Sequence, residues 1–313
     1  MKIATMDIGS NTVRLLLGDI TGGQLRRDTV QRQITRLAGG FQHGRYHPTS
    51  FVRTVQAVRE FANRARAFGA VEIRAVCTGI TRKADDPRVF LKALLEEAGL
   101  SVVMIEGKVE ARLSALGAVN ELGIKDQPIT LMDVGGFSTE FAHVRGAELL
   151  DAISLELGGV SFTEKYLLTD PPASEQVDAC AEAIGRVLRD NTDLARFGGP
   201  PTLVGTAGTV TTLAAMDLKM ERYEPYRLNR HLLSREAIGS LLERMLPRTA
   251  IERLSMPGLE KGREDVIVAG ALICLAVLKF FQREEMLVTE GGVLEGLAYW
   301  ATWPVDGFSI DRA

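Results

Sequence analysis

Apolar, partly β-branched runs alternate with longer amphipathic stretches along the chain, and one order of them occurs twice. Lys2–Met6 and Val13–Gly18 are apolar on either side of a polar turn, which predicts two paired strands. Gln24–Leu37 interleaves charges with Val30, Ile34 and Leu37, as a third strand exposed on one face would. After the capping pair Thr49-Ser50, the positions Phe51, Val55, Val58, Phe61, Ala62 and Ala65 keep helical spacing up to Gly69. Val71–Val76 alternates as a strand, and Asp86-Pro87 opens a helix that Gly99 closes. Ser101–Ile105 is a short strand, and a helix runs from about Lys108 to Leu122. The order βββαβαβα is complete by Gly123, so Gly123–Pro128 is the expected hinge.

The second half repeats that order, with strands at Ile129–Asp133, Thr139–Val144 and Glu148–Ser154 and a helix at Ser161–Leu168 that Pro171 and Pro172 break. A long helix is predicted from Ser174 to about Arg196, a strand at Thr202–Gly205, and helices at Val210–Asp217, Ser234–Met245 and Asp265–Phe281. Leu287–Thr289 is the last strand and Val293–Trp300 the closing helix. Two related lobes are therefore expected, residues 1–123 and 124–313, with the last helix (about 293–313) packing back on the first.

The turn between the first two strands of each half carries the chemistry. Met6-Asp7-Ile8-Gly9 returns as Met132-Asp133-Val134-Gly135 with one conservative change, at a separation far too long for a solenoid repeat. Ser10-Asn11-Thr12 follows the first copy, and Gly136-Phe137-Ser138-Thr139-Glu140 the second. Glycines let main-chain N–H groups approach an anion, and hydroxyls add further donors. Carboxylates such as Asp133 and Glu140 beside a phosphate cradle would repel it unless a hard cation lay between, and Mg²⁺ is the usual solution. Asp7 has two readings, a metal contact through water or a brace for the first turn. Gly205-Thr206-Ala207-Gly208-Thr209 opens a helix after a strand, where free N–H groups can bind anions.

Composition narrows the class. With Lys+Arg 37 against Asp+Glu 40, the net charge of −3 excludes the broad positive field of a nucleic-acid binder. Cys77, Cys180 and Cys274 are odd in number and widely spaced, which fits free buried thiols rather than disulfides or a zinc site. His43, His47, His143 and His231 lack ligand spacing. The apolar run Val266–Phe281 contains Lys279 and is short for a membrane span, and Asp7 and Arg14 interrupt any leader. A cytoplasmic protein with no membrane association is expected.

The two turns resemble the phosphate loops of the actin, Hsp70 and sugar-kinase superfamily. Thr78-Gly-Ile-Thr-Arg82, Ile105-Glu-Gly-Lys-Val-Glu-Ala-Arg-Leu113, Gly205-Thr-Ala-Gly-Thr209, Arg263-Glu-Asp265 and Glu290-Gly-Gly292 narrow the resemblance to the exopolyphosphatase and guanosine pentaphosphate phosphohydrolase family. It covers residues 6 to about 296. The resemblance implies an α/β, two-lobed actin-like (ribonuclease H-like) ATPase fold with an interlobe cleft, and a homodimer. It also implies metal-assisted hydrolysis of a terminal phosphoanhydride, with inorganic polyphosphate as substrate and guanosine pentaphosphate as runner-up. Glu110 falls on the family's catalytic glutamate and Arg82 on an arginine that points into the cleft. From the residues alone, Glu110 reads first as a helix-start acid favoured by the macrodipole, and the alternative for Arg82 is a surface arginine beside Lys83.

Under this reading Gly9, Ser10, Asn11, Thr12, Gly135, Gly136, Ser138, Thr139, Gly205 and Gly208 bind phosphate, and Asp133 and Glu140 hold the metal with Asp7. The chain departs from the family pattern at Val109, where an acid is common, and at Phe137, where a third glycine is usual. It departs again at Glu290 in place of aspartate and at Leu294 in place of a frequent arginine. The departures motivate a non-catalytic nucleotide sensor as one alternative, and a kinase of the same superfamily is another. The run Arg222, Arg227, Arg230, His231 and Arg235 reads either as a track for a long polyanion or as a solvated loop.

Overall fold

The structure is a computed structural model that describes residues 1–124, 127–146, 148–199 and 202–300. Residues 125 and 126 of the expected hinge, and the part of the expected last helix beyond residue 300, lie outside the described residues. The first half runs β1 (Lys2–Ile8), β2 (Thr12–Thr21), β3 (Gln24–Ile34), α1 (Pro48–Phe68), β4 (Glu72–Cys77), α2 (Pro87–Ala98), β5 (Val103–Met104) and α3 (Gly107–Leu122). The second continues with β6 (Pro128–Val134), β7 (Thr139–Arg145), β8 (Glu148–Leu155), α4 (Gly159–Tyr166), α5 (Ser174–Asp190), β9 (Thr202–Thr206) and α6 (Ala207–Asp217). Then follow α7 (Pro225–Leu228), β10 (Leu232–Ser234), α8 (Arg235–Met245), α9 (Ala250–Arg253), α10 (Ile267–Phe280), β11 (Glu285–Val288) and α11 (Val293–Trp300).

One sheet has the order β3-β2-β1-β4-β5, and the other β10-β11-β9-β6-β7-β8. In each, the first three strands form an antiparallel meander whose first strand also pairs in parallel with the strand after the next helices. The two halves thus share one plan, the two-lobed α/β fold expected from their repeated order. The second half adds β10, antiparallel to β11 at the sheet edge. Three residues are too few to show an alternating pattern, which is why no strand is predicted there.

Local signals placed most helix ends. Asp86 accepts a hydrogen bond from Arg88 N–H (3.0 Å) with Pro87 in the first turn, and Gly99 ends α2 at φ +59°. The start of α1 differs from the expectation: His47 caps it by accepting from Thr49 N–H (3.3 Å), and Pro48 rather than Thr49 or Ser50 begins the helix. The long helix from Ser174 stops at Asp190, because Asn191 turns out of helical geometry and its side-chain amide donates to the Val187 carbonyl (2.7 Å). Of the run from Arg222 to Arg235, Arg227 lies in α7, Arg230 and His231 lie between α7 and β10, and Arg235 begins α8. Arg227 pairs with Glu224, Arg230 donates to the Leu122 carbonyl, His231 meets Asp217 and Arg235 pairs with Glu284. Among the described residues, no helix is long and apolar enough to cross a membrane. Helix α10 is instead enclosed in the second lobe's core.

Two helices lie between the sheets. The Ala111–Ala115–Ala118 face of α3 packs on β6, β7 and β8, whereas α11 packs against β1, where Thr5 Oγ1 donates to the Leu294 carbonyl (2.9 Å). They cross through glycines. A Cβ on Gly117 would stand 2.1 Å from the Gly292 carbonyl oxygen, and one on Gly296 would stand 2.0 Å from that of Leu113. The charged face of β3, expected to be solvated, is paired instead: Arg27 meets Glu121 of α3 and Glu295 of the second half, and Arg32 meets Glu260. Just beyond the strand, Arg36 meets Asp265 (2.7 Å).

Backbone contact at Gly117 leaves no side chain to yield, so Gly117→Ala should lower the unfolding free energy by about 1–3 kcal/mol or more. Gly239 in α8 has open space at its Cβ position, so Gly239→Ala should raise it by roughly 0.5–1 kcal/mol. Chemical denaturation of both variants beside the parent measures the two shifts.

Candidate active site in the interlobe cleft

The two repeated turns close in the same way. Gly9 N–H donates to the Thr12 carbonyl (3.0 Å) and Gly135 N–H to the Ser138 carbonyl (2.9 Å). Each hairpin then aligns its acid with a partner across the strands, Asp7 with Arg14 and Asp133 with Glu140. The turns meet tip to tip, since a Cβ on Gly136 would lie 3.5 Å from Ser10 Cβ. Among the described residues, the main-chain N–H groups of Ser10, Asn11, Gly136 and Phe137 find no backbone acceptor. The Asn11 side-chain amide nitrogen and the Thr12 hydroxyl are likewise buried without a partner. The two buried side-chain groups, with the N–H groups of the turns beside them, fit an anion that supplies the acceptors.

Both turns line one cleft, of about 1100 Å³ including its open mouth, together with Glu110, Asp133 and the start of α6 at Ala207 and Gly208. Gly9, Ser10, Asn11, Thr12, Gly135, Gly136, Ser138 and Gly208 all lie on its wall, as do Asp7 and Asp133. Ser10 reaches it with its hydroxyl already accepting from Ile80 N–H (2.9 Å). Four expected site residues stand elsewhere. Gly205 is a packing glycine whose absent Cβ would meet Met286 and Val210, and Thr139 gives its hydroxyl to the Leu157 carbonyl (2.5 Å). Glu140 is enclosed behind Asp133, and Arg82 stands behind Glu110 rather than in the cleft wall.

Glu110, in the first turn of α3, accepts from Arg82 Nη1 at 2.7 Å, and Arg82 Nη2 lies 3.7 Å from Glu140. Arg82 therefore orients the acid and bridges two carboxylates. Asp133 accepts a hydrogen bond from the Ser114 hydroxyl, and Glu140 accepts one from Ser154 Oγ (2.7 Å). Burial holds the Glu110 carboxyl well above its usual range; the Glu140 charge adds to this, and Arg82 only partly offsets it. Burial, reinforced by Asp133, pushes Glu140 up to about 7, and burial also raises Asp133.

The acids beside the cleft carry more negative charge than their arginines offset, which a divalent cation would balance. Asp133 and Glu140 are like charges directly opposite across two strands, an arrangement unfavourable on its own, and Glu140 Oε2 is buried with no partner. Asp7, by contrast, is committed to Arg14 (2.8 Å), which favours its role as a brace. No group of three His, Cys, Asp or Glu side chains is gathered as a metal cage among the described residues. Mg²⁺ is ordinarily held by one or two carboxylates, waters and substrate oxygens, so the residues fit that mode.

The sequence profile of the Ppx/GppA phosphatase family matches residues 19–302. This chain belongs to the Ppx/GppA phosphatase family. Exopolyphosphatase 2 of Mycobacterium tuberculosis is similar to it at 30% identity over 95% of this chain and 97% of its own length. The Aquifex aeolicus PPX-GPPA enzyme is similar at 30% identity and a TM-score of 0.79, covering 96% and 99% of the two chains. An exopolyphosphatase from Cytophaga hutchinsonii superposes with a TM-score of 0.88 at 25% identity, over 96% and 97%.

The Ppx/GppA cleft of this chain also contains residues that sequence reasoning missed. Arg14 faces Asp7 across the hairpin, a pairing that the symmetric placement of the two residues about the turn would have signalled. Arg32 and Arg263 line the cleft and share Glu260, and Arg32 stacks 3.9 Å over the Tyr223 ring. Nothing local marks Arg32, whose partners come from the other lobe. Phe137 lines the cleft while packing against the first lobe's core.

The folded-state pKa of Glu140 lies above the unfolded glutamate value of about 4.3, so the stability it confers is complete below that value and lost as pH rises to about 7. The melting temperature of cation-free protein should therefore fall by several degrees across this window. Added Mg²⁺ should restore it, since a ligand that binds only the folded state stabilises it. Thermal melts in chelator and in Mg²⁺ at several pH values check both.

Proposed function

We propose that the cleft releases terminal orthophosphate from inorganic polyphosphate by metal-assisted attack of water, and that Glu110 is the base. The observation that carries this is the convergence on one cleft of both anion-binding turns and a buried carboxylate. Family membership and the exopolyphosphatase relatives support a phosphoanhydride hydrolase rather than a kinase or a silent sensor.

In this reading the free N–H groups of Ser10, Asn11, Gly136 and Phe137 hold the terminal phosphate oxygens, and the start of α6 receives the adjoining phosphate. Arg82 fixes one Glu110 oxygen, and the other accepts a proton from water as its oxygen attacks the terminal phosphorus. The bond to the bridging oxygen breaks, and its electrons leave with the shortened chain. Asp133, supported by Glu140, would hold a divalent cation, which when bound supplies charge neutralisation for the phosphate oxygens. Mg²⁺ is the cation proposed, on the donor chemistry described above.

The test is phosphate release from polyphosphates of several lengths, guanosine pentaphosphate and ATP, each with Mg²⁺ and with chelator and without any acceptor alcohol. Glu110→Gln should lower kcat by about 10²–10⁴-fold with KM retained. Wild-type-like release from that variant would remove Glu110 from the chemistry, and release only on addition of an acceptor would favour a kinase.

The base must be ionised to act, so kcat/KM should rise with pH through the raised Glu110 pKa, above the ordinary carboxylate range. Glu140→Gln deletes a neighbouring negative charge and should move that limb to lower pH at saturating cation. An unshifted limb would show that the Glu140 charge does not act on the base.

A further inference from the structure

Phe137 belongs to the turn of the second lobe, yet its side chain packs against the hydrophobic cluster built from β1, β2, α1, β4 and α2 of the first. On one side of it, a Cβ on Gly136 would stand 3.5 Å from Ser10 Cβ and 3.7 Å from Asn11 Cβ, so the two turns are in contact. Behind it, a Cβ on Gly158 would stand 2.3 Å from the Gly136 carbonyl oxygen and 2.4 Å from Phe137 Cα, so the turn has no room to retreat. The carbonyls of this turn are also fixed. Gly135 accepts from Gly159 N–H (3.1 Å), and Gly136 accepts from Val160 (2.8 Å) and Ser161 (3.1 Å). The start of α4 thus holds the carbonyl side of the turn and leaves its N–H side facing the cleft.

We propose that Phe137 is a positioning residue, a wedge that fastens the second anion turn to the first lobe and presets the spacing between the two sets of main-chain donors. The proposal rests on reading the cleft as a phosphoanhydride site. Separating the turns requires drawing an aromatic ring out of apolar surroundings, so the donors stand at their working distance before an anion arrives. A glycine at position 137 would bring no such tether, and the anion would have to gather the turns itself. That cost falls equally on bound substrate and transition state, because the ring is anchored in the first lobe's apolar cluster and acts only through the position of the turn. Its loss is therefore read in affinity rather than turnover.

Phe137→Gly should raise the KM for polyphosphate and the inhibition constant of orthophosphate together, by roughly tenfold, while kcat changes less than about threefold. Phe137→Leu, which keeps an apolar anchor, should recover most of that loss. Calorimetric titration with inorganic phosphate reads the same spacing without turnover. A parent that binds phosphate but releases none from polyphosphate would refute hydrolysis and leave the wedge testable. Equal phosphate affinity in parent and Phe137→Gly overturns the wedge, as does a loss confined to kcat. Should the glycine variant not fold, the series Leu, Val, Ala replaces it: phosphate affinity that declines as the side chain shortens supports the wedge, and a flat series overturns it.

Discussion

Asp7, Asp133 and Glu110 are buried along one cleft with Glu140 enclosed beside Asp133; Arg14 pairs with Asp7, and Arg82 with Glu110 and Glu140. Carboxylates removed from water are costly, and like charges this near one another raise each other's pKa. The fold tolerates the arrangement because two sheets, two hairpin turns and two crossing helices hold it from every side. What makes the assembly unfavourable alone also makes it receptive, since it presents a deficit of positive charge beside a surplus of N–H donors. In the proposed reading a divalent cation would offset the charge and a phosphate group would supply the acceptors.

Positioning comes from backbone contact more than from side-chain packing. Helix α3, which carries Glu110, crosses α11 where Gly117 faces Gly292 and Gly296 faces Leu113. The close approach fixes the height of Glu110 relative to the two turns. Ser114 on the same helix, one turn on, donates to Asp133, so Glu110 and Asp133 are tied to a single element. The interlobe pairs of Arg27, Arg32 and Arg36 then hold the outer wall, and Phe137 closes the inner end. Each is a contact between residues distant in sequence.

Much of this was legible beforehand. The twofold βββαβαβα order, the repeated Met-Asp-Ile/Val-Gly turn, the caps at Asp86 and Gly99 and the buried helix α10 follow from periodicity and turn chemistry, which act over a few residues. The resemblance carried by the dispersed short stretches pointed to the family to which the chain belongs. Other features lacked a local signal. β10 is too short to alternate, Asn191 ends α5 with its own side chain, and the charged face of β3 is solvated in any reading that lacks the second lobe.

The sequence by itself determined most of the longer strands and helices and that two glycine turns each follow an acid, because these depend on neighbours within reach of one element. Only the tertiary structure decided that Arg82 pairs with Glu110, that Asp7 is tied to Arg14, that Gly205 is packed against Met286 and Val210, and that Phe137 crosses to the other lobe. These depend on distances between elements far apart in the chain. Such distances are set by how closely helices and sheets approach, a property that belongs to no short stretch of residues.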